Sequence, residues 1–394
     1  MKFRFGNIIA VMAVAGIVAA CNNKAIDTAP DKLVRDGMQK MWTQDTKYNF
    51  SGIVKLEANN SSDTTKENKK SVAQSERASQ TLSGSDVISS SEIGTAQYPV
   101  KPDQDLFEFI SSTVTIPFTG AVDLSKGKIE FIPEYRYEAK NALSTFKFPS
   151  QIDINKLKLY IDASAITNFT DTFFKRYDPS KFIGDRYVLV APFQNTIQRL
   201  PISDLIKNLP KAMDDGLASI DAKSFAKVDI DDYGKKINAK YQVKLNTTVM
   251  GNIKTTVVML DSLSKALQQQ GQEAAVKKGQ YQQHDYMVLK QFIDKFRGEY
   301  KQDLNENSPS NQYSQIVKQF EAMPMVYNYY FDDKGRFIAM QGKIQLESNN
   351  NRPSPFGGNL SVIYEYKIDY STPKFTMEPN EQNTYNMTSY LGLK

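Results

Sequence analysis

Leu360-Ser361-Val362-Ile363-Tyr364-Glu365-Tyr366-Lys367-Ile368-Asp369-Tyr370 is the stretch that decides the fold. Leu360, Val362, Tyr364, Tyr366, Ile368 and Tyr370 share one parity, while Ser361, Glu365, Lys367 and Asp369 share the other. Successive side chains of a strand point to opposite sides of a sheet, so this period predicts a strand with one buried and one wet face. The buried side is rich in tyrosine, whose ring needs cover and whose hydroxyl needs a polar partner.

The same pattern recurs outward from this stretch. Met325, Tyr327, Tyr329 and Phe331 share a face, Asp332-Asp333-Lys334-Gly335 turns the chain, and Ile338, Met340, Ile344 and Leu346 share the next face. Asn349 to Gly358 reads as a Pro/Gly loop. Tyr48, Phe50, Gly52, Val54 and Leu56 alternate as a first strand; Ile110, Val114, Ile116, Phe118, Val122 and Leu124 form a second, ending in the turn Ser125-Lys126-Gly127-Lys128. The next strand sets Ile129, Phe131, Tyr135, Tyr137 and Ala139 against Lys128, Glu130, Glu134, Arg136, Glu138 and Lys140, so one side is expected to be wet. Pro133 removes a ladder donor and marks an edge or a bulge. Strands near Leu143 to Ile152 and Leu157 to Ala163 continue an antiparallel meander, and Asp185 to Ala191 reads as another strand.

Helices interrupt the series. Thr28-Ala29-Pro30-Asp31 opens one, with Thr28 as cap, and it carries Leu33, Val34, Met38, Met41 and the only tryptophan, Trp42, as core residues. Ile166 to Tyr177 reads as a helix, and Ser203 caps a short one that Pro210 interrupts or restarts. Val228 and Ile230 begin a hairpin whose second strand carries Tyr241, Val243, Leu245 and Val249. Three amphipathic stripes follow: Ile253, Val257, Leu260, Leu263 and Leu267; Tyr286, Leu289, Ile293, Phe296 and Tyr300; Tyr313, Ile316, Val317 and Phe320. Such stripes are expected to pack on a sheet.

The fold class that results is α+β, a bent antiparallel β-sheet (a half-barrel), polar outside, with helices packed on its concave face. Residues 28–58 hold the first helix and strand, and 98–372 the rest of this β-rich body. Between them, residues 59–97 contain Ser, Thr, Asn, Gln and charge, no aromatic residue before Tyr98, and too few aliphatics to order themselves, so they read as a polar disordered insertion. Residues 373–394 read as a polar, loosely held tail.

The function classes that depend on sequence motifs are largely excluded. No Walker loop, dinucleotide fingerprint, HExxH or GxSxG is present. Ser224 to Lys227 and Ser262 to Lys265 match Ser-x-x-Lys without the companion motifs of penicillin-recognising sites. Asp229-Ile230-Asp231-Asp232-Tyr233-Gly234 imitates a calcium loop, but Lys240 stands where a bidentate Glu is required, so these acids read as a solvated turn. His284 is the sole histidine, which excludes a histidine cluster; it reads as a surface or capping residue at a helix start. Neither a metal nor another cofactor is expected, and no enzymatic activity. With 49 Lys and Arg against 44 Asp and Glu, scattered rather than clustered, no nucleic-acid partner is expected either.

The N-terminus places the protein. Lys2 and Arg4, the apolar run Ile8 to Val18, and Val18-Ala19-Ala20-Cys21 resemble a bacterial lipoprotein lipobox. The run is about half the roughly 20 residues that span a bilayer. The resemblance implies that residues 1–20 are a signal peptide removed before Cys21, the only cysteine, and that Cys21 carries a diacylglycerol thioether and usually a further acyl chain. Residues 21–27 form a tether, whose link Asn22 to Asp27 is about 20 Å at full stretch, so the expected partner is a membrane through the N-terminal lipid anchor. Asn22 rather than Asp after the cysteine suggests the outer membrane, with the body facing the periplasm. Removal of Lys2 and Arg4 leaves 47 cations against 44 acids, a formal charge of +3.

The leading helix, the run Tyr48-Asn49-Phe50-Ser51-Gly52, the meandering strands with interrupting helices and the closing hairpin at Tyr329 to Phe337 are together similar to the half-barrel lipoprotein carriers and sensors of the LolA, LolB, RseB and LppX type. The chain departs from the smaller carriers in its polar insertion and extra helices. The resemblance implies a lipid, acyl chain or other apolar ligand held in the half-barrel, and Phe131, Tyr135, Tyr137, Tyr327, Tyr329, Tyr364 and Tyr366 are the candidate ligand-binding residues, expected to enclose a cavity under the three helices. The alternative is a non-enzymatic accessory or scaffold lipoprotein that recruits envelope proteins. Ordinary core packing accounts for the same aromatics.

Overall fold

The computed structural model describes residues 28–58, 114–139, 141–162, 164, 187–190, 200–276, 279–303, 323–346 and 360–386. The expected signal peptide over 1–20, Cys21, the expected tether, the insertion read at 59–97, the helices read at 166–177 and 313–320 and the loop read at 349–358 lie outside the described residues.

Five helices and thirteen strands are described. The helices are α1 (Pro30–Thr43), α2 (Ile202–Ala218), the short α3 (Asp232–Lys236), α4 (Val249–Val276) and α5 (Gln283–Asp303). The strands are β1 (Lys47–Ala58), β2 (Val114–Asp123), β3 (Lys128–Ala139), β4 (Ala142–Lys147), β5 (Ser150–Asp153), β6 (Lys158–Ile161), β7 (Tyr187–Val190), β8 (Phe225–Val228), β9 (Tyr241–Thr248), β10 (Pro324–Phe331), β11 (Phe337–Leu346), β12 (Leu360–Asp369) and β13 (Thr384–Asn386). They form one open sheet in the order β13-β7-β6-β5-β3-β2-β1-β12-β11-β10-β9-β8, with β4 also paired to β3. Every pairing is antiparallel except β13 with β7, which is parallel and departs from the all-antiparallel expectation.

Local chemistry accounts for the boundaries. Pro30 occupies the first turn of α1, where its missing N–H is not needed, and Ala29 rather than Thr28 is the cap residue. Gly127 takes a left-handed φ of 65° to turn β2 into β3, after Asp123 has accepted a hydrogen bond from the Lys126 N–H. The single strand expected over Leu143 to Ile152 is two, β4 and β5. β3 exchanges its second neighbour at Pro133, pairing with β5 over Lys128–Phe131 and with β4 over Glu134–Ala139. The proline thus falls where no ladder donor is needed on that side.

Three helical expectations change. α2 runs unbroken through Pro210. The proline removes a single backbone bond, to Ile206, while Ala212, Met213, Gly216 and Leu217 remain buried and hold the helix on either side of the loss. Val249 begins α4 instead of ending β9. The stripes of α4 and α5 pack largely on each other and on α2, through Ala212, Leu263, Leu267, Tyr286, Leu289 and Ile293, rather than both lying on the sheet. Polar pairs lace this helical layer: Arg35 to Asp214 bidentately at 2.6 and 2.8 Å, Ser262 to Asp215 at 2.6 Å, Ser264 to Asp294 at 2.7 Å and Arg297 to Asp261 at 2.7 Å.

The main core lies between α1 and the sheet. Leu33, Val34, Met38 and Met41 are buried with Tyr48, Val243, Leu245, Tyr329, Phe331, Phe337 and Met340, and Trp42 packs at the margin. A bulge at Tyr330/Phe331 shifts the β10–β11 register, so Phe337 opposes Phe331 and faces this core in place of Ile338. Ile338 instead packs with Tyr330 and Ala339 on the other side.

The C-terminal segment, expected to be loosely held, is docked. After β12 it crosses the opposite side of the sheet to reach β7. The Lys374 N–H donates to Asn49 at 2.7 Å, and the Thr376 and Met377 N–H groups each donate to the Glu130 carboxylate at 2.8 Å. The Gln151 amide donates to the Met377 carbonyl at 2.8 Å, and Met377 is buried. Glu130, expected on a wet face, is therefore buried beneath this strap with its charge met by backbone N–H groups.

Candidate functional site: an uncharged sheet face, half of it uncovered

Residues directly opposite in a ladder lie on the same face, so the registers assign every strand position. Phe50 opposes Gly120 and Ile368, Gly52 opposes Phe118 and Tyr366, and Gly120 opposes Phe131. Tyr366 opposes Met340, Tyr364 opposes Gly342, and Gly342 opposes Tyr327. Carried through, all seven sequence-predicted residues, Phe131, Tyr135, Tyr137, Tyr327, Tyr329, Tyr364 and Tyr366, share one face.

That face carries no Asp, Glu, Lys or Arg from β9 through β12 and β1 to β6. The charges of the central strands, such as Lys55, Glu57, Lys128, Glu130, Glu365 and Lys367, all stand on the other face.

Coverage divides the face in two. Over β9 to β12 it is closed by α1, α2 and α4: Tyr327 and Tyr329 are buried, and Tyr364 is 5% exposed. The cleft left there, lined by Met213, Leu245, Asn252, Met259, Tyr327 and Tyr329, has a volume of about 40 Å³. That is room for a water or two, not an acyl chain. Among the described residues, the space expected to be a cavity under the helices is, beneath α1, α2 and α4, a packed core around a small cleft. Asn252 hydrogen-bonds the Tyr327 hydroxyl, which answers the polar demand of that buried ring. Burial holds the Tyr327 and Tyr329 phenols above their ordinary pKa, keeping them neutral.

Over β2, β3 and β5 the same face opens. Phe131 and Tyr135 are each 40% exposed and Ile152 is 44% exposed, while Phe118 and Tyr137 are partly buried. The rings form a continuous run across five strands. Phe131 to Phe118 is 5.7 Å between centroids, Phe118 to Phe50 6.4 Å, Phe50 to Tyr366 5.7 Å and Tyr366 to Phe337 6.2 Å. Tyr366 thus joins the covered half to the uncovered one. Burial raises its phenol pKa well above the ordinary value, so it too stays neutral.

Phe50, Phe118 and Ile152 were not singled out from the sequence. Phe50 and Phe118 lie opposite glycines, Gly120 and Gly52, and that pairing of a large ring with a missing side chain across a ladder was the signal available.

The other sequence candidates have structural roles. Asp231, expected in a solvated turn, caps α3 through the Gly234 N–H at 2.7 Å and accepts from Tyr330 at 2.8 Å and from Gln242 at 3.0 Å. The Ser262 hydroxyl is committed to Asp215, and His284 is exposed in the first turn of α5. Among the described residues no group of three or more His, Cys, Asp or Glu side chains is placed to hold a metal ion. No described helix is long and apolar enough to cross a membrane. Comparison of the chain with protein families, with curated proteins and with solved structures finds no match.

Proposed function

We propose that this protein is a lipoprotein of the bacterial envelope, anchored through Cys21 to the outer membrane, that holds an apolar ligand against the uncovered half of its uncharged sheet face. The observation that carries this reading is Phe131, stacked among Phe118 and Phe50 yet 40% exposed, on a face whose other half is sealed by helices. A contiguous, ring-lined apolar surface left partly exposed next to a closed core marks a binding surface more often than idle exposure. The small volume of the closed half supports a ligand lying along the face over one inside an enclosed chamber.

The full chain with Cys21→Ser, titrated with a fluorescent fatty-acid analogue, tests this. Phe131→Ser combined with Ile152→Ser is expected to weaken uptake at least tenfold while leaving the melting temperature within a few degrees, since both side chains are already substantially exposed. Unchanged uptake in the double variant would overturn the assignment.

The second reading, a scaffold that recruits envelope proteins, is supported by Phe292 and Phe296. They pack edge-to-face at 4.9 Å on the outer side of α5 and are 56% and 41% exposed. Replacing both with Ser would abolish co-purification of envelope proteins under this reading and leave lipid uptake intact.

A further inference from the structure

We infer that the uncovered face recognises hydrocarbon alone, taking the acyl chains of bilayer phospholipids whatever the charge of the head group and leaving that head group in water. The inference rests on the apolar-ligand reading and specifies what that site selects.

Its basis is the complete separation of charge between the two faces. On the ligand side, β1, β2, β3 and β5 present Phe50, Val54, Ile116, Phe118, Phe131 and Ile152 among other uncharged side chains. Of the aliphatic hydroxyls on that side, Ser150 is committed to the Phe131 carbonyl at 3.0 Å, and Ser144, opposite Tyr137 on β4, is uncharged and in water. A phosphate or carboxylate laid on this surface would lose its water and meet no cation, so it stays outside. An ammonium would meet no carboxylate. The acids of the same strands stand on the far side, where Glu130 is met by the C-terminal strap and Glu134 by Arg136 at 2.8 Å. Binding energy then comes from buried methylene and ring area, which depends on chain length and is indifferent to salt. The Cys21 anchor holds the body within about 20 Å of a bilayer, the tether's full stretch, so phospholipid is the hydrocarbon source at hand.

The test uses the full chain carrying Cys21→Ser and lysophospholipids below their micellar concentration. Lysophosphatidylcholine and lysophosphatidylglycerol of equal chain length are expected to bind within threefold of each other and to be unaffected by added salt. Affinity should rise by up to about fourfold per methylene. A Phe131→Lys variant should acquire a preference for the anionic lysolipid that salt removes. A tenfold or greater preference in the wild type, or a salt-dependent affinity, would overturn the inference while leaving the apolar-ligand reading standing. Binding of a synthetic triacylated lipopeptide without binding of either lysophospholipid would overturn the assigned source. Absence of binding by all three probes would overturn the apolar-ligand reading itself, and this inference with it.

Discussion

The ring of Phe118 lies directly over Gly52 on the neighbouring strand, in the space where any other residue would carry its Cβ. The carbonyl of Glu365 closes the same space from the other side. Gly120 repeats the arrangement under Phe50, with the Glu130 carbonyl behind it. Two glycines therefore let two phenylalanines lie flat along the sheet, and this geometry gives the uncovered half a smooth aromatic floor.

Gly52→Ala and Gly120→Ala should each destabilise the protein by about 1 to 3 kcal/mol, because a backbone carbonyl cannot step aside as a side chain can. Chemical denaturation measures the loss. A cost below a few tenths of a kcal/mol would mean that the rings do not lie where described. Gly342 belongs to the same class, since its added Cβ would meet the Tyr364 ring, so it is a packing position and not a wall of a cavity.

Tyr364 and Tyr327 should respond in opposite senses to loss of their hydroxyls. The Tyr364 hydroxyl is buried without a hydrogen-bond partner among the described residues, whereas that of Tyr327 is bonded by Asn252. Tyr364→Phe is expected to be neutral or to stabilise by up to about 1 kcal/mol, and Tyr327→Phe to cost about 0.5 to 1.5 kcal/mol. Parallel thermal and denaturant melts of the two variants check the contrast.

Glu130 is the latch of the C-terminal strap. Glu130→Ala leaves the Thr376 and Met377 N–H groups and the Gln151 amide short of an acceptor, an expected loss of about 1 to 3 kcal/mol. Hydrogen exchange should accelerate at the Thr376 and Met377 amides before it does in β1 or β12. Uniform acceleration across the sheet would show that the strap is not a separable element.

The helical layer should be acid-sensitive. Burial opposes ionisation of Asp294, but hydrogen bonds from Lys290 and Ser264, with Arg297 nearby, hold its carboxyl below the ordinary value. Asp215 is held down in the same way by Lys211 and Ser262 against its own burial. A folded pKa below the unfolded one means that the unfolded chain binds the proton first. The stabilisation is therefore complete above the unfolded carboxylate value of about 3.9 and is lost as pH falls through the lower folded value. The stability difference between wild type and Asp294→Asn should be constant from about pH 5 to 8 and shrink below about pH 4, as followed by melts at each pH.

The alternation at Leu360–Tyr370 was legible because β12 lies in mid-sheet, where one face meets core and the other water. The parity that grouped Phe131 with Tyr364 and Tyr327 was legible for the same reason. What covers each part of that face was not. Glu130 carries a charge and sits in a wet-looking alternation, and nothing local announces that a segment some 250 residues later will lay two N–H groups against it. The bulge that replaces Ile338 by Phe337 likewise follows from the pairing of two strands, which neither strand's own periodicity records. α2 outlasted Pro210 because packing on one face outweighed a single lost backbone bond.

The pairing of Asn49 with Asp369 bears on how the molecule comes to be made. A chain synthesised from its N-terminus completes β1 to β7 early and β8 to β11 much later, and the two sets become one sheet only when β12 arrives between β1 and β11. Until then the edges of β1 and β11 are raw, and an intermediate with unpaired strand edges is prone to pair with other chains. Closing so long a loop is slow, so β12 sets the pace at which the fold completes. A chain cut short before residue 360 would be two half-sheets joined only through the packing of α1 on the later set.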